Sequence, residues 1–110
     1  MGAPVLPDPL VFAALGDATR LALFDRLHRY RSLSTTQLAE GVSMSRQAVR
    51  KHLGVLEKAG LVSHQRHGRQ RRWTVDPAPL EDAQAWITHI QEHWESRLDR
   101  LGAWLRDNPE

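Results

Sequence analysis

The chain has 110 residues, with 15 basic and 13 acidic side chains, a formal net charge of +2 and hydrophobic residues at 41% of positions. That length suits one domain with a modest core. Because cysteine is absent, disulfides, thiolate nucleophiles and cysteine-based zinc or iron–sulfur centres are excluded, and no apolar run reaches the ~18 residues that a bilayer span needs.

Pro4, Pro7 and Pro9 predict an extended arm over residues 1–9. Residues 10–15 read as one or two helical turns closed by Gly16. Asp17 is placed to cap a second helix, in which Leu21, Phe24 and Leu27 recur at helical spacing while Asp25, Arg26 and Arg29 face outward. The third helix opens on Ser34-Thr35-Thr36-Gln37, the pattern of a capping box. Leu33 and Leu38 are placed as its hydrophobic staple, and it ends near Gly41. After Val42-Ser43-Met44, Ser45 caps a fourth helix that runs to Ala59, with Gly60 as a left-handed stop. Residues 61–66 and 71–75 predict two short strands joined at His67-Gly68-Arg69-Gln70. Asp76, Pro77 and Pro79 lead into a last helix over about 80–106, with Glu81 and Asp82 near its positive end. The fold class is mostly α with a small β-hairpin: a winged helix-turn-helix of five helices and a two-stranded wing. It forms a single domain over 10–106.

In a helix-turn-helix two short helices cross closely. Leu38, Val42, Met44, Val49 and Leu53 can form their shared core, with the small Ala39 where the second helix passes. Ser43 stands in the turn where glycine is usual. A left-handed backbone costs serine roughly 1 kcal/mol, so a slightly altered turn is expected. Val49, Leu53 and Leu56 point inward from the fourth helix, while Ser45, Arg46, Gln47 and Arg50 point outward near its start. That first turn is the part that enters the major groove, where Arg can read guanine and Gln adenine. Lys51 and His52 lie further round, toward phosphate.

Charge supports this placement. From Arg46 to Arg72 there are eight basic residues (Arg46, Arg50, Lys51, Lys58, Arg66, Arg69, Arg71, Arg72) against Glu57 alone, a net of +7. Residues 1–45 carry four of each sign, and residues 73–110 carry three basic and eight acidic, net −5. A compact basic patch on a helix and a hairpin is the footprint of a polyanion-binding surface, most often DNA. Arg66, Arg69 and Arg71 place the wing on backbone or minor groove. His64 and His67 flank it, facing solvent or phosphate.

The runs Leu15-Gly16-Asp17-Ala18-Thr19-Arg20, Ser45-Arg-Gln-Ala-Val-Arg-Lys-His-Leu53 and Leu56-Glu-Lys-Ala-Gly-Leu-Val62, followed by Gly68-Arg69 in a hairpin, resemble the ArsR-type winged-helix repressors of bacteria. The resemblance covers roughly residues 8–105. It implies a homodimer on double-stranded operator DNA, repression of its own operon, and a dimer interface made by the first and last helices. Two departures stand out. Metal-sensing members carry cysteines in the third helix, where this chain has Leu33-Ser-Thr-Thr-Gln-Leu38. Position 50 is more often a small hydroxyl residue in the family and is Arg here, which points to a different operator sequence. The C-terminal pattern of Trp86, Trp94 and Arg97-Leu-Asp-Arg-Leu101 resembles the metal-free, cysteine-less subset.

The last helix carries an apolar seam: Leu80, Ala83, Ile87, Ile90, Trp94, Leu98, Leu101 and Leu105, spaced by three and four. Some 26 residues make about 39 Å of helix, whereas a compact domain of this size has a radius of gyration near 13 Å. The seam therefore runs past its own core, and Ile87, Ile90, Trp94, Leu98, Leu101 and Leu105 are expected in a homodimer interface. His89 and His93 lie one turn apart. Cysteine-free family members bind zinc at the last helix through His and Asp, but the usual Asp-x-His pair is missing before His89. A zinc site wants three or four ligands, so no metal or other cofactor is expected. A zinc-responsive sensor using His89 and His93, and a winged-helix protein-interaction module, are the alternatives. No cysteine nucleophile, Gly-rich phosphate loop or His-Glu-x-x-His motif points to an enzyme, the carboxylate pair Glu81-Asp82 sits where a helix start wants acids, and nothing identifies a small-molecule effector. The N-terminus lacks a secretory pattern, and a cytoplasmic protein without a membrane association is expected.

Overall fold

The computed structural model describes residues 4–109, so the first three residues of the expected arm over 1–9 lie outside the described residues. Helix α1 (Pro9–Leu15) begins inside that stretch, because the Asp8 carboxylate accepts a hydrogen bond from the Leu10 amide at 2.9 Å and Pro9 occupies a position that needs no N–H partner. Helix α2 (Ala18–Tyr30) is capped by Asp17, which accepts from the Arg20 amide at 3.0 Å. Its core stripe is Leu23 and Leu27, with Phe24 partly buried; Leu21, expected inside, is exposed. Both stripes satisfy a three-or-four spacing, and only packing against the neighbouring elements selects between them.

A strand that sequence periodicity does not reveal comes next. β1 (Ser32–Ser34) is three residues long, too short for an alternating pattern to register, yet it makes the sheet three-stranded instead of a bare two-stranded wing. Helix α3 (Thr35–Val42) follows at once. Its capping box is complete: the Ser34 hydroxyl accepts from the Gln37 amide at 3.1 Å, and the Gln37 side-chain oxygen accepts from the Ser34 amide at 2.9 Å. The helix ends one residue beyond Gly41, and Ser43 takes φ 54° and ψ 44°. The altered turn expected of serine does not occur; Ser43 adopts the left-handed conformation outright, and the Met44 amide closes the turn on the Ala39 carbonyl at 3.3 Å.

Helix α4 (Arg46–Lys58) starts under the Ser45 hydroxyl, which accepts from the Ala48 amide at 3.1 Å. It stops in a Schellman turn. Gly60 has φ +77°, its amide donates to the Glu57 carbonyl at 2.9 Å, and the Leu61 amide donates to the Leu56 carbonyl at 3.0 Å. Strands β2 (Val62–His67) and β3 (Gln70–Val75) form the antiparallel wing, with Gly68 at φ +62° in the two-residue turn. The sheet order is β1-β3-β2, so β3 is central.

Leu38, Val49, Leu53, Leu56 and Trp73 are buried with Leu23 and Leu27 in one core, and Val42 and Met44 pack at its edge. Trp73, paired in register with Leu33 and His64, donates its indole N–H to the Thr35 hydroxyl at 2.9 Å. The sheet is thereby bonded to the first turn of α3. Helix α5 (Ala78–Asp107) then leaves the body: of its 30 residues only Ala83 is buried, and the chain is 70 Å long but 31 and 21 Å across. Among the described residues no helix is long and apolar enough to cross a membrane.

Two outcomes test these local readings. Left-handed serine is strained by about 1 kcal/mol, so Ser43→Gly should raise unfolding stability by about 0.5–1 kcal/mol, seen as a higher urea midpoint at unchanged slope. The Asp17 carboxyl is held below its ordinary value of 3.8, first by the Arg20 amide hydrogen bond and then by attraction from Arg20 and His52. A depressed folded value adds stability that is present above 3.8 and lost as pH falls through the folded value. Thermal midpoints of Asp17→Asn and the unmodified chain should therefore differ at pH 7 and converge on acidification.

Candidate nucleic-acid interface

The N-terminal turn of α4, the N-terminus of α3 and the wing enclose a cleft of about 290 Å³. Arg46 and Arg50 enter it from α4, and Arg66, Arg69 and Arg71 from the wing. Ser34, Thr35, Thr36 and Gln70 also line it, and none of the residues lining it is acidic. The α3 hydroxyls were legible in the sequence only as a helix cap; that they share a surface with the wing depends on the long-range bond from Trp73 to Thr35.

Strand register decides which arginines face the cleft. Arg66 and Arg71 are directly opposite each other across β2 and β3. Like charges in that relation destabilise a hairpin, so the pairing is a poor choice for stability and a good one for receiving an anion. Arg72, one residue on, points to the other side. Its guanidinium donates to the Ser32 hydroxyl and the Ser32 carbonyl, both at 3.1 Å, and ties β3 to β1. Among the described residues the one arginine–carboxylate ion pair is Asp25–Arg29, outside the cleft, so the cleft arginines carry uncompensated charge.

The remaining site residues are divided by the helix. Ser45, Gln47 and Lys51 line a shallower groove on another side of α4 with Ala48. His52 is half-buried with Nδ1 3.9 Å from the Asp17 carboxylate. That places its ring beside the residue that caps α2. His64 departs from expectation: its Nδ1 is 2.6 Å from a Glu57 carboxylate oxygen, and its ring lies 4.6 Å from Trp73. His67 is exposed beside the wing tip.

A second surface lies on α5. Ile87, Ile90, Trp94, Leu98, Leu101 and Leu105 are all exposed, as are Leu10 and Phe12 of α1. Phe12 meets Trp86 edge-on at 5.9 Å, which sets α1 against α5. His89 and His93 have their rings 6.3 Å apart. Among the described residues no group of three or more His, Asp or Glu side chains could hold a metal ion.

A family model described as a helix-turn-helix domain matches residues 15–65. The uncharacterized HTH-type transcriptional regulator YuzN of Bacillus subtilis is 38% identical over 84 residues, which are 70% of this chain and 91% of that protein. An ArsR-like transcriptional regulator from Rhodococcus sp. RHA1 superposes with a TM-score of 0.71 at 35% identity, covering 84% of this chain and 87% of that one. This chain belongs to the ArsR family of helix-turn-helix transcriptional regulators. It is a member of a DNA-binding family and not an enzyme. The transcriptional repressor SdpR of Bacillus subtilis is a more distant relative, 27% identical over 80 residues, 73% of this chain and 88% of that protein.

Proposed function

We propose that this ArsR-family chain is a homodimeric repressor that binds double-stranded operator DNA at its own operon in the bacterial cytoplasm. The observation that carries the reading is the cleft, where five arginines converge without a carboxylate and two of them oppose each other across the hairpin. A polyanion relieves that repulsion. In this reading Ser45, Arg46, Gln47 and Arg50 address the major groove, and Lys51 with Arg66, Arg69 and Arg71 addresses backbone or minor groove. The name of SdpR supports repression over activation. Residues 10–106 act as one domain, with α5 as its dimerisation helix: an apolar face of this length is unsatisfied in a lone chain, and a second copy covers it with the same residues.

Paired binding curves on a selected operator duplex and on random duplex test the division of labour. Arg50→Ala should lose about 1–3 kcal/mol on the operator and narrow the gap to random DNA. Arg69→Ala should weaken both alike and reduce the salt slope by about one per subunit. If Arg50→Ala leaves the specificity ratio intact while Arg69→Ala removes it, another element reads the bases. A nearly flat salt response in the unmodified protein overturns the reading as a whole. Dimerisation is tested separately by Ile90→Asp, which places a charge in the seam. Light scattering should then report a monomer and operator affinity should collapse, because two half-sites are read together.

A further inference from the structure

Glu57 is the one acidic residue between Arg46 and Arg72. A carboxylate there repels the polyanion that the rest of the segment attracts, so its presence calls for a role. Its partner is His64, whose Nδ1 lies 2.6 Å away across the Gly60 turn. Glu57 stands in the last turns of α4, and His64 stands mid-way along β2. The same imidazole lies against Trp73 of β3, and the Trp73 indole is bonded to Thr35 at the start of α3. Glu57, His64, Trp73 and Thr35 thus form one continuous chain of contacts through α4, both wing strands and α3.

We propose that Glu57 and His64 are positioning residues for DNA binding: their bond fixes the angle at which the wing leaves the recognition helix, so that wing and helix meet one stretch of duplex together. The proposal rests on the DNA-binding reading above. Its physical basis is leverage. Gly68 at the tip is four positions beyond His64, about 13 Å of strand. A rotation of about 10° at His64 moves the tip by about 2 Å, several times the ~0.5 Å range over which an N–H···O hydrogen bond stays good. Gly60, the least constrained residue type, stands at that hinge, where two backbone hydrogen bonds close the turn and the Glu57–His64 contact adds a side-chain restraint beyond it. Trp73 and Arg72 anchor the central strand β3 at α3 and β1; β2 is an edge strand paired along its length with β3, and the Glu57 contact adds a direct side-chain tie from β2 to the recognition helix.

The experiment uses the full chain and two duplexes. One is selected by the unmodified protein from random sequence; the other is the same site trimmed at both ends until Arg69→Ala no longer changes affinity, so that the wings have nothing to touch. Glu57→Ala and His64→Ala should each bind the long duplex about 5–10-fold more weakly, and the double variant no more weakly than either single. All three should match the unmodified chain on the trimmed duplex. Glu57→Gln retains an acceptor for the imidazole N–H and should restore most of the loss. Glu57 is surface-exposed enough for its variants to fold, so they carry the test if His64→Ala does not fold. Equal losses on both duplexes would mean a structural role only and overturn the proposal, as would additive losses or no loss on either duplex. If the unmodified protein binds neither duplex, the DNA-binding reading falls first and the clamp falls with it.

Discussion

The buried hydrogen bond from the Trp73 indole to the Thr35 hydroxyl is the contact on which the arrangement turns. It joins residues 38 apart in sequence and is buried. Breaking it leaves a polar group without a partner in the interior, a penalty of about 1–3 kcal/mol. Because Trp73 lies on the central strand, the bond fixes the whole sheet against the first turn of α3. From that placement follows the cleft, since α3 hydroxyls and wing arginines can face each other only if β3 is held there. The same indole supports the imidazole of His64, and through it Glu57.

The molecule separates its two surfaces cleanly. Cations gather where α4, α3 and the wing meet, and apolar side chains gather along α5 and α1. Neither surface is satisfied within one chain: one has charge without counter-charge, the other has hydrophobic area without cover. The proposed dimer and the proposed operator are complements to these two deficits, and each is defined by physical need. Arg66 facing Arg71, and Trp94 standing exposed on a helix, are costly to a solitary folded chain for different reasons.

Features that depend on a few adjacent residues were legible in the sequence. Asp17, Ser34 and Ser45 mark three helix starts because a cap is a local hydrogen bond, and Gly60 and Gly68 mark turns because only a positive φ closes them. The arginines of the cleft were named from charge and motif, and Arg46 and Arg50 do share a surface with Arg66, Arg69 and Arg71. What depends on distant partners was not legible. β1 exists because Leu33 pairs with Trp73, and Leu23 replaces Leu21 in the core because the packed neighbours choose the stripe. His52 and His64 look like free basic side chains until folding brings Asp17 and Glu57 beside them. Register, too, separates Arg71 from Arg72, which composition treats as equals.

The uneven distribution of charge has a kinetic consequence. The segment that includes α4 and the wing is net +7, while the segment that includes α5 is net −5. In the field of a duplex such an object feels a torque as well as an attraction. Its acidic end is pushed away and its basic end is drawn in before any contact forms, so collisions are biased toward the productive orientation. The low total charge limits how strongly the whole molecule is retained by arbitrary polyanions. Encounter is thus governed by the arrangement of charge more than by its sum, and added salt slows arrival as well as weakening the complex.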